Sequence, residues 1–496
     1  AQGPVLCLPC IMAQVSRSVL CGSCTSLLCL VVLALCLYRS SFRLSAATLA
    51  PLMVVEQPAP RVAPQCQLAM DSYCQLGCYD NMSSRPCDGP MVARLSGPGR
   101  PRWRCFSPSA LEGNQTYAGR SGCYCSRHAE LIEVQTLCSS DIKTIFSFKM
   151  AGSECYRIPV LIHVPSGGPG TLIAFSEQRL RNCSDNSSSN IVLRRSLDSG
   201  ESWEPRIIMV VQGGGLALSN PNPVVVTFPN GTRAVLLHYD TMNNPNVTHG
   251  SNLQRWSLDN GLTWTEAVNI TSFMPQGYAG CMPGPSPGIF NAENGRIYFS
   301  CHGFGRNAFL YWSVDWGKSW QHSSVHSGLL DECSIALLTN GSIAMNCRTK
   351  RRHRVQLTCG ANGEFLSEIM EPQGLIDPNC QGSLVSVRQT ARRGLHDSAD
   401  RLFLSNDNTT FGRSRITVKR SVDAGATWDS GHLAWPGPSG YSQLAVWEHE
   451  DGSGRHWMGL LFELGSEVYW RNLGFRRWVL EERGGPGAAD GPPVLV

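Results

Sequence analysis

Four copies of one octapeptide limit what this chain can fold into. Residues 196–203 (SLDSGESW), 257–264 (SLDNGLTW), 313–320 (SVDWGKSW) and 421–428 (SVDAGATW) share the pattern S-x-D-x-G-x-[ST]-W. Each reads as a hairpin clasp. The Asp carboxylate accepts backbone N–H bonds across a tight turn, Gly supplies a positive φ, and Trp covers apolar surface beside it. The copies start 61, 56 and 108 residues apart, so the last gap is about two periods, with one clasp degenerated. A period of roughly 50 residues with about four short strands per unit is the signature of a β-propeller, and residues 141–482 have room for roughly six blades.

The stretch 156–203 shows one such unit in full. YRIPVLIHV and TLIAFSEQR are apolar strands joined by a Gly/Pro turn; a polar loop, a third strand IVLRRS and the first clasp follow. Two residues exceed strand chemistry: Arg157, a lone cation in an apolar strand, and Asp185, a carboxylate in a Ser/Asn loop.

The Tyr-Arg-Ile-Pro motif at 156–159, followed in order by the four clasps, resembles the sialidase (neuraminidase) superfamily, a six-bladed propeller in which such turns are known as Asp boxes. The segments AFSEQR (174–179), DECSIALLTNGSIAMNCR (331–348) and AWPGPSGYSQL (434–444) are similar to animal sialidases, the last most of all to the lysosomal type. The likeness covers about 340 residues. It implies an all-β fold and assigns residues to roles.

Arg157, Arg348 and Arg413 match the three arginines that clamp the carboxylate of sialic acid in this family. A planar guanidinium holds a carboxylate bidentately, which Lys cannot do. Arg415, two positions after Arg413, is the alternative for the third place. Glu463 in GLLFELGSE matches the carboxylate that orients the first arginine. Because sialic acid carries a carboxylate on its anomeric carbon, a carboxylate nucleophile would approach a like charge. Sialidases use a Tyr nucleophile instead, and Tyr441, in a Gly/Pro-constrained loop, takes that position here. A Tyr needs a base below pH 10, and Glu332, 16 residues before Arg348, matches it. Asp185 matches the general acid that protonates the leaving oxygen and then activates water. By the same resemblance, Arg179 would line this pocket.

The flanks point to a secretory route. Met12 is the expected start. Residues 18–38 are uncharged between Arg17 and Arg39, long enough to span a bilayer as a helix. With no small-x-small cleavage site directly after the apolar run, an uncleaved anchor is favoured over a signal peptide. A first segment (1–50) and a linker (51–64) lead into a cysteine-rich module (65–140) with Cys66, Cys74, Cys78, Cys87, Cys105, Cys123, Cys125 and Cys138. The propeller follows (141–482), and then a disordered tail (483–496). The propeller carries eight more cysteines; dense, even cysteine usage in a secreted segment reads as disulfides. Nine N-x-[ST] sequons, all beyond the apolar run, agree: Asn81, Asn114, Asn182, Asn186, Asn230, Asn246, Asn269, Asn340 and Asn408. The destination is lysosome or cell surface, with a lumenal protein partner a possibility.

A net charge of +4 on 496 residues gives no reason to expect nucleic acid. The run RTKRRHR (348–354) reads as an exposed hairpin beyond the Arg348 strand. Gly284 to Gly288 fits G-x-S-x-G, but Pro287 opposes a nucleophile elbow. No phosphate loop or dinucleotide motif is present, a zinc reading of Cys123, Cys125 and His128 is the weaker one, and no metal or cofactor is expected. The expectation is a retaining exo-α-sialidase acting on sialylated glycans. The alternatives are a non-catalytic sialic-acid-binding propeller and a trans-sialidase.

Overall fold

The computed structural model describes residues 142–480 apart from 243–249, 304–305, 327, 388–399 and 454, together with four short strands between residues 92 and 133. The expected anchor at 18–38, the linker and the tail lie outside the described residues, as do the side chains of the cysteine-rich module. Within that module Val92–Arg94, Cys105–Phe106, Tyr124–Arg127 and Glu130–Glu133 form one small sheet, in which the first and third strands run parallel.

From residue 142 onward the fold is all-β and propeller-like. Residues 155–211, 217–269, 282–322 and 331–359 form separate antiparallel sheets of four, four, five and three strands. Residues 383–480 form a fifth sheet, and Lys143–Ser147 joins it as an outer strand beside Asn472–Leu480, so the two ends of the domain are hydrogen-bonded to each other. In this seven-stranded sheet the 17-residue strand His432–Glu448 changes partner midway. Its first half pairs with Ser414–Ser421 and its second with His456–Leu464. Inner strands are covered on both faces, and all nine residues of Thr171–Arg179 are buried. That is why these strands read as apolar runs instead of alternating.

The four octapeptide turns share one hydrogen-bond set. In the first, Ser196 Oγ donates to Asp198 Oδ1 (2.7 Å), and the Gly200 N–H donates back to Ser196 Oγ (2.8 Å). The Ser202 N–H and hydroxyl both donate to Asp198. The same bonds recur around Asp259, Asp315 and Asp423. Burial alone would raise these four carboxyls, but the Ser or Thr hydroxyls and turn N–H groups outweigh it and hold all four below the usual range. Gly200 has φ 87°, and a Cβ there would meet the Phe475 ring at 2.4 Å.

Each Trp reaches toward the preceding sheet. Trp203 packs edge-on against Phe475, and Trp264 against Phe175. Trp320 is buried with its indole N–H donating to Gln254 Oε1 (3.1 Å), while Gln254 Nε2 donates to the Gly317 carbonyl (2.8 Å). The turns therefore tie neighbouring sheets together.

Disulfides join Cys155 to Cys183, Cys281 to Cys301 and Cys333 to Cys347. The expectation that all eight propeller cysteines are bridged needs correction. Cys359 and Cys380 are free and buried in different regions, Cys359 within the apolar core of the fourth sheet and Cys380 beside Ile158 and Tyr441 among the charges of Arg413, Asp407 and Asp377. The basic run is likewise only partly an exposed hairpin, because Arg354 is fully buried against Asp377 (3.0 Å).

Trp320→Ala is expected to destabilise the domain by about 3–5 kcal/mol, the range for truncating a buried aromatic. Leu258→Ala, at a 67 % exposed turn position, is expected to change stability by roughly 0.5 kcal/mol or less. Urea unfolding of both variants compares them directly.

Candidate active site

The strands deliver the site residues through departures from regular pairing. Register irregularities lie between Arg157 and Val160, between Asp331 and Cys333, and between Ser439 and Ser442. They flank Arg157, Glu332 and Tyr441 respectively. A bulge turns one side chain out of the alternating pattern and aims it off the sheet. Ile158 (φ 56°) and Glu332 (φ 31°) pay with left-handed backbone that non-glycine residues rarely adopt.

Glu463, fully buried on His456–Leu464, holds the centre. Its Oε1 accepts from Arg157 Nε (2.5 Å) and from the Ile158 N–H (3.2 Å), and its Oε2 accepts from the Tyr441 N–H (3.1 Å). Burial would lower the Arg157 guanidinium, but the Glu463 charge more than reverses this and raises it. Gly440 is needed for this closure: a Cβ there would lie 2.3 Å from Glu463 Oε2 and 2.8 Å from the Tyr469 ring.

Around Tyr441 the three arginines converge. Arg157 and Arg413 lie over the Tyr441 ring at 5.3 and 5.5 Å, and over the Tyr469 ring at 5.1 and 5.2 Å. Arg348 Nη1 donates to the Tyr441 hydroxyl (3.2 Å) and to Glu332 Oε2. Its Nε donates to Asn379 Oδ1 (2.9 Å), and Arg413 Nη2 donates to the Asn379 carbonyl (3.3 Å). Arg413 directly precedes the strand Ser414–Ser421 and is the residue on the tyrosine rings; Arg415, two residues on, makes no such contact. Among the described residues Arg413 forms no ion pair with a carboxylate; it donates to the Tyr469 hydroxyl (3.2 Å) and the Asn379 carbonyl.

The Tyr441 hydroxyl donates to Glu332 Oε1. Burial and the neighbouring Glu332 charge hold the phenol far above its usual range, against the pull of Arg348 and Arg413. Burial would raise Glu332 as well, but Arg348, His302 and the Tyr441 hydroxyl overcome it and lower this carboxyl to about 2. The resting pair is therefore neutral phenol and carboxylate. Tyr441 was expected in a loop; it sits inside the long strand His432–Glu448, because pairing on two successive partners keeps the Pro- and Gly-rich segment extended.

Asp185 is set apart in the exposed 180–188 loop, its side chain 76 % exposed. Its Oδ1 lies 3.0 Å from Arg179 and 3.9 Å from Arg157. Arg179 is held by Glu177 (2.7 and 3.0 Å) and donates to the Cys183 carbonyl (2.6 Å), with the Cys155–Cys183 bridge anchoring the loop. All eight residues singled out in the sequence thus meet at one end of the inner strands. Tyr469, Asn379, Asp331 and Glu177 were missed. Tyr469 sits in GSEVYWRN, which reads as an ordinary surface turn, and only its proximity to Glu463 in sequence hinted at a role.

Residues 170–455 match the BNR repeat-like domain model. The chain belongs to the sialidase superfamily. Among its relatives, a sialidase of Bacteroides fragilis (strain YCH46) is 28 % identical over 341 residues, covering 63 % of this chain and 60 % of that protein. Mouse Sialidase-3 is 26 % identical over 400 residues, covering 67 % of this chain and 93 % of the mouse protein. The chain therefore spans three fifths of the bacterial relative and nearly all of the animal one. Among solved structures, Hadza microbial sialidase Hz136 superposes with a TM-score of 0.57 at 26 % identity, covering 68 % of each chain. The intramolecular trans-sialidase from Ruminococcus gnavus shares the fold at a TM-score of 0.55 and 15 % identity, covering 67 % of this chain and 96 % of that one.

The depressed Glu332 carboxyl gives this superfamily member a testable acid response. A carboxyl lower in the folded than in the unfolded chain contributes its stability in full above about pH 4.5, and that contribution is lost as pH falls towards 2. Glu332→Gln is expected to flatten the acid limb of a Tm-against-pH curve over that window. A limb as steep as the parent's would count against the ionised assignment.

Proposed function

We propose that this protein is a retaining exo-α-sialidase that hydrolyses terminal sialic acids from glycoproteins, glycolipids or oligosaccharides. One observation carries the reading: the Tyr441 hydroxyl is bonded to Glu332 and reached by Arg348, beneath two further guanidiniums. A binding protein needs the cations but has no use for a phenol wired to a carboxylate.

In this mechanism the substrate carboxylate docks on Arg157, Arg348 and Arg413. Among the described residues Arg413 has no carboxylate partner, and Arg157 is already oriented by Glu463. As the substrate draws on Arg348, that guanidinium loosens its hold on Glu332, whose basicity rises just when it is needed. Glu332 takes the phenol proton and Tyr441 oxygen bonds to the anomeric carbon. The glycosidic bond breaks with its electron pair going to the leaving oxygen, which takes a proton from Asp185. Water, deprotonated by Asp185, then attacks the anomeric carbon and displaces Tyr441 oxygen, which regains its proton from Glu332; two displacements retain configuration. The solvent exposure of Asp185 favours water over a second sugar as acceptor.

The same reading counts six blades. The seven-stranded sheet divides where His432–Glu448 changes partner, between Pro438 and Ser439. The nine sequons and the apolar 18–38 segment support a secretory route with a membrane anchor.

With sialyllactose, Tyr441→Phe is expected to lower kcat by about a thousandfold or more with little change in KM, whereas Arg157→Lys is expected mainly to raise KM. A fluorinated sialoside should leave a covalent adduct on the peptide bearing Tyr441. Full turnover by Tyr441→Phe would sink the mechanism, and binding without turnover in the parent would make the protein a lectin.

A further inference from the structure

One piece of the basic run is not used by the clamp. Arg351 and His353 both face Glu371, at 2.6 and 3.3 Å, and Arg354 is buried on Asp377. Arg352 lies between them with no ion pair to a carboxylate among the described residues. Its backbone is left-handed (φ 68°), which for a long side chain is a strained choice. Its guanidinium is fixed by one hydrogen bond, from Nη1 to the Thr410 carbonyl (3.3 Å), and lies 4.5 Å over the Phe411 ring. Phe411 is 72 % exposed, more than any other large apolar side chain among the described residues.

Their position matters more than their exposure. Arg352 follows Arg348 by four residues and Phe411 precedes Arg413 by two, so the pair grows from the ends of two clamp elements. The two ends are joined beneath the surface. The Arg352 carbonyl accepts from the Asp377 N–H (3.0 Å). Asp377 caps the Cys380 N–H (2.7 Å), and between them Asn379 binds both Arg348 and Arg413. A cation and an apolar ring, both solvent-facing, thus stand on the shoulder of a site built for one carboxylate on a sugar.

We propose that Arg352 and Phe411 form a second subsite, for the next sialic acid of a tandem sialyl-sialyl glycan. This inference rests on the sialidase reading of the neighbouring site. Arg352 pairs with the carboxylate of the penultimate sugar while the C–H face of that sugar lies on the Phe411 ring. A neutral penultimate sugar such as galactose finds only the ring. The arrangement selects the substrate class by its second charge, with no residue of the first site altered.

The test compares kcat/KM for a disialyl glycan with that for sialyllactose, using the full chain and the variants Arg352→Ala, Phe411→Ala and Arg351→Ala. The disialyl-to-monosialyl ratio is expected to fall about tenfold in Arg352→Ala, in keeping with one lost charge-assisted contact. It should fall by a smaller factor in Phe411→Ala and hold in Arg351→Ala, whose charge already faces Glu371. An unchanged ratio in Arg352→Ala overturns the subsite, as does an equal fall in Arg351→Ala, which would point to a diffuse basic field. Should the parent release sialic acid from neither substrate, the hydrolase reading fails. Calorimetric titration with the two glycans then decides the subsite separately. Tighter disialyl binding that is lost in Arg352→Ala supports it, and equal affinities overturn it.

Discussion

The site depends on one buried carboxylate. Arg157 and Arg413 crowd the same two tyrosine rings and Arg348 reaches the Tyr441 hydroxyl, and without a ligand three guanidiniums gathered there repel one another in a low-dielectric setting. Glu463 offsets the repulsion and does so with direction. One of its oxygens fixes Arg157 and the Ile158 amide; the other fixes the Tyr441 amide. The backbone that carries the first arginine and the backbone that carries the phenol are thereby set against each other by a single side chain. Removing either partner of such a buried pair leaves an uncompensated charge, which is far costlier than the net worth of the pair itself. The carboxylate is thus a constraint on geometry first and a source of stability second.

The scaffold supplies the rigidity that this constraint needs. Each of the four Asp turns neutralises its own backbone and sends a Trp or a carbonyl to the sheet before it. At Gln356, whose amide donates to the Ala424 carbonyl (2.7 Å), the same device recurs between the fourth and fifth sheets. These ties run along the outer turns, whereas the site residues occupy the opposite ends of the inner strands. The inner ends are consequently free to hold bulges and left-handed residues at Ile158, Glu332 and Arg415. Strain of that kind persists only where the surroundings over-determine it, and here the ring of clasped sheets does so.

That division explains what could be read from the sequence. The clasps are local: every bond lies within a few residues of its Asp, so the pattern S-x-D-x-G-x-[ST]-W carried the repeat, the period and the all-β class. Arg157 and Asp185 stood out because a cation in an apolar strand and a carboxylate in a Ser/Asn loop break local patterns. Tyr441 and Glu332 carried no local signal of partnership; 109 residues separate them, and their role came from likeness to a family. Tyr469 and Asn379 stayed hidden for the same reason, as each works by contacts across more than thirty residues, whereas Glu177 holds Arg179 two residues away in its own strand and reads there as one more strand residue. The error over Cys359 and Cys380 has a related cause. Cysteine count signals disulfides in a secreted chain, but pairing needs two sulfurs brought together, and these two are buried in different regions. The misplaced loop around Tyr441 arose because Pro and Gly signal a turn locally, while His432–Glu448 is held extended by strands on either side.

Arg348 links this architecture to chemistry. It alone among the three arginines bonds both to Glu332 and to the Tyr441 hydroxyl. In the resting site it stabilises the Glu332 carboxylate so strongly that the carboxyl is a poor proton acceptor, while Tyr441 is buried and keeps its proton. A resting phenolate would be a nucleophile exposed to any electrophile; a neutral phenol beside a quenched base is inert. In the mechanism proposed above, an anionic ligand competes for the same guanidinium, so that binding would raise the basicity of Glu332 beside the proton it must remove. On the same mechanism, an uncharged sugar occupying the pocket would leave Arg348 on Glu332 and the pair silent. Under that mechanism, selection for a carboxylate-bearing substrate would be exercised twice, once in affinity through Arg413 and once in reactivity through Arg348.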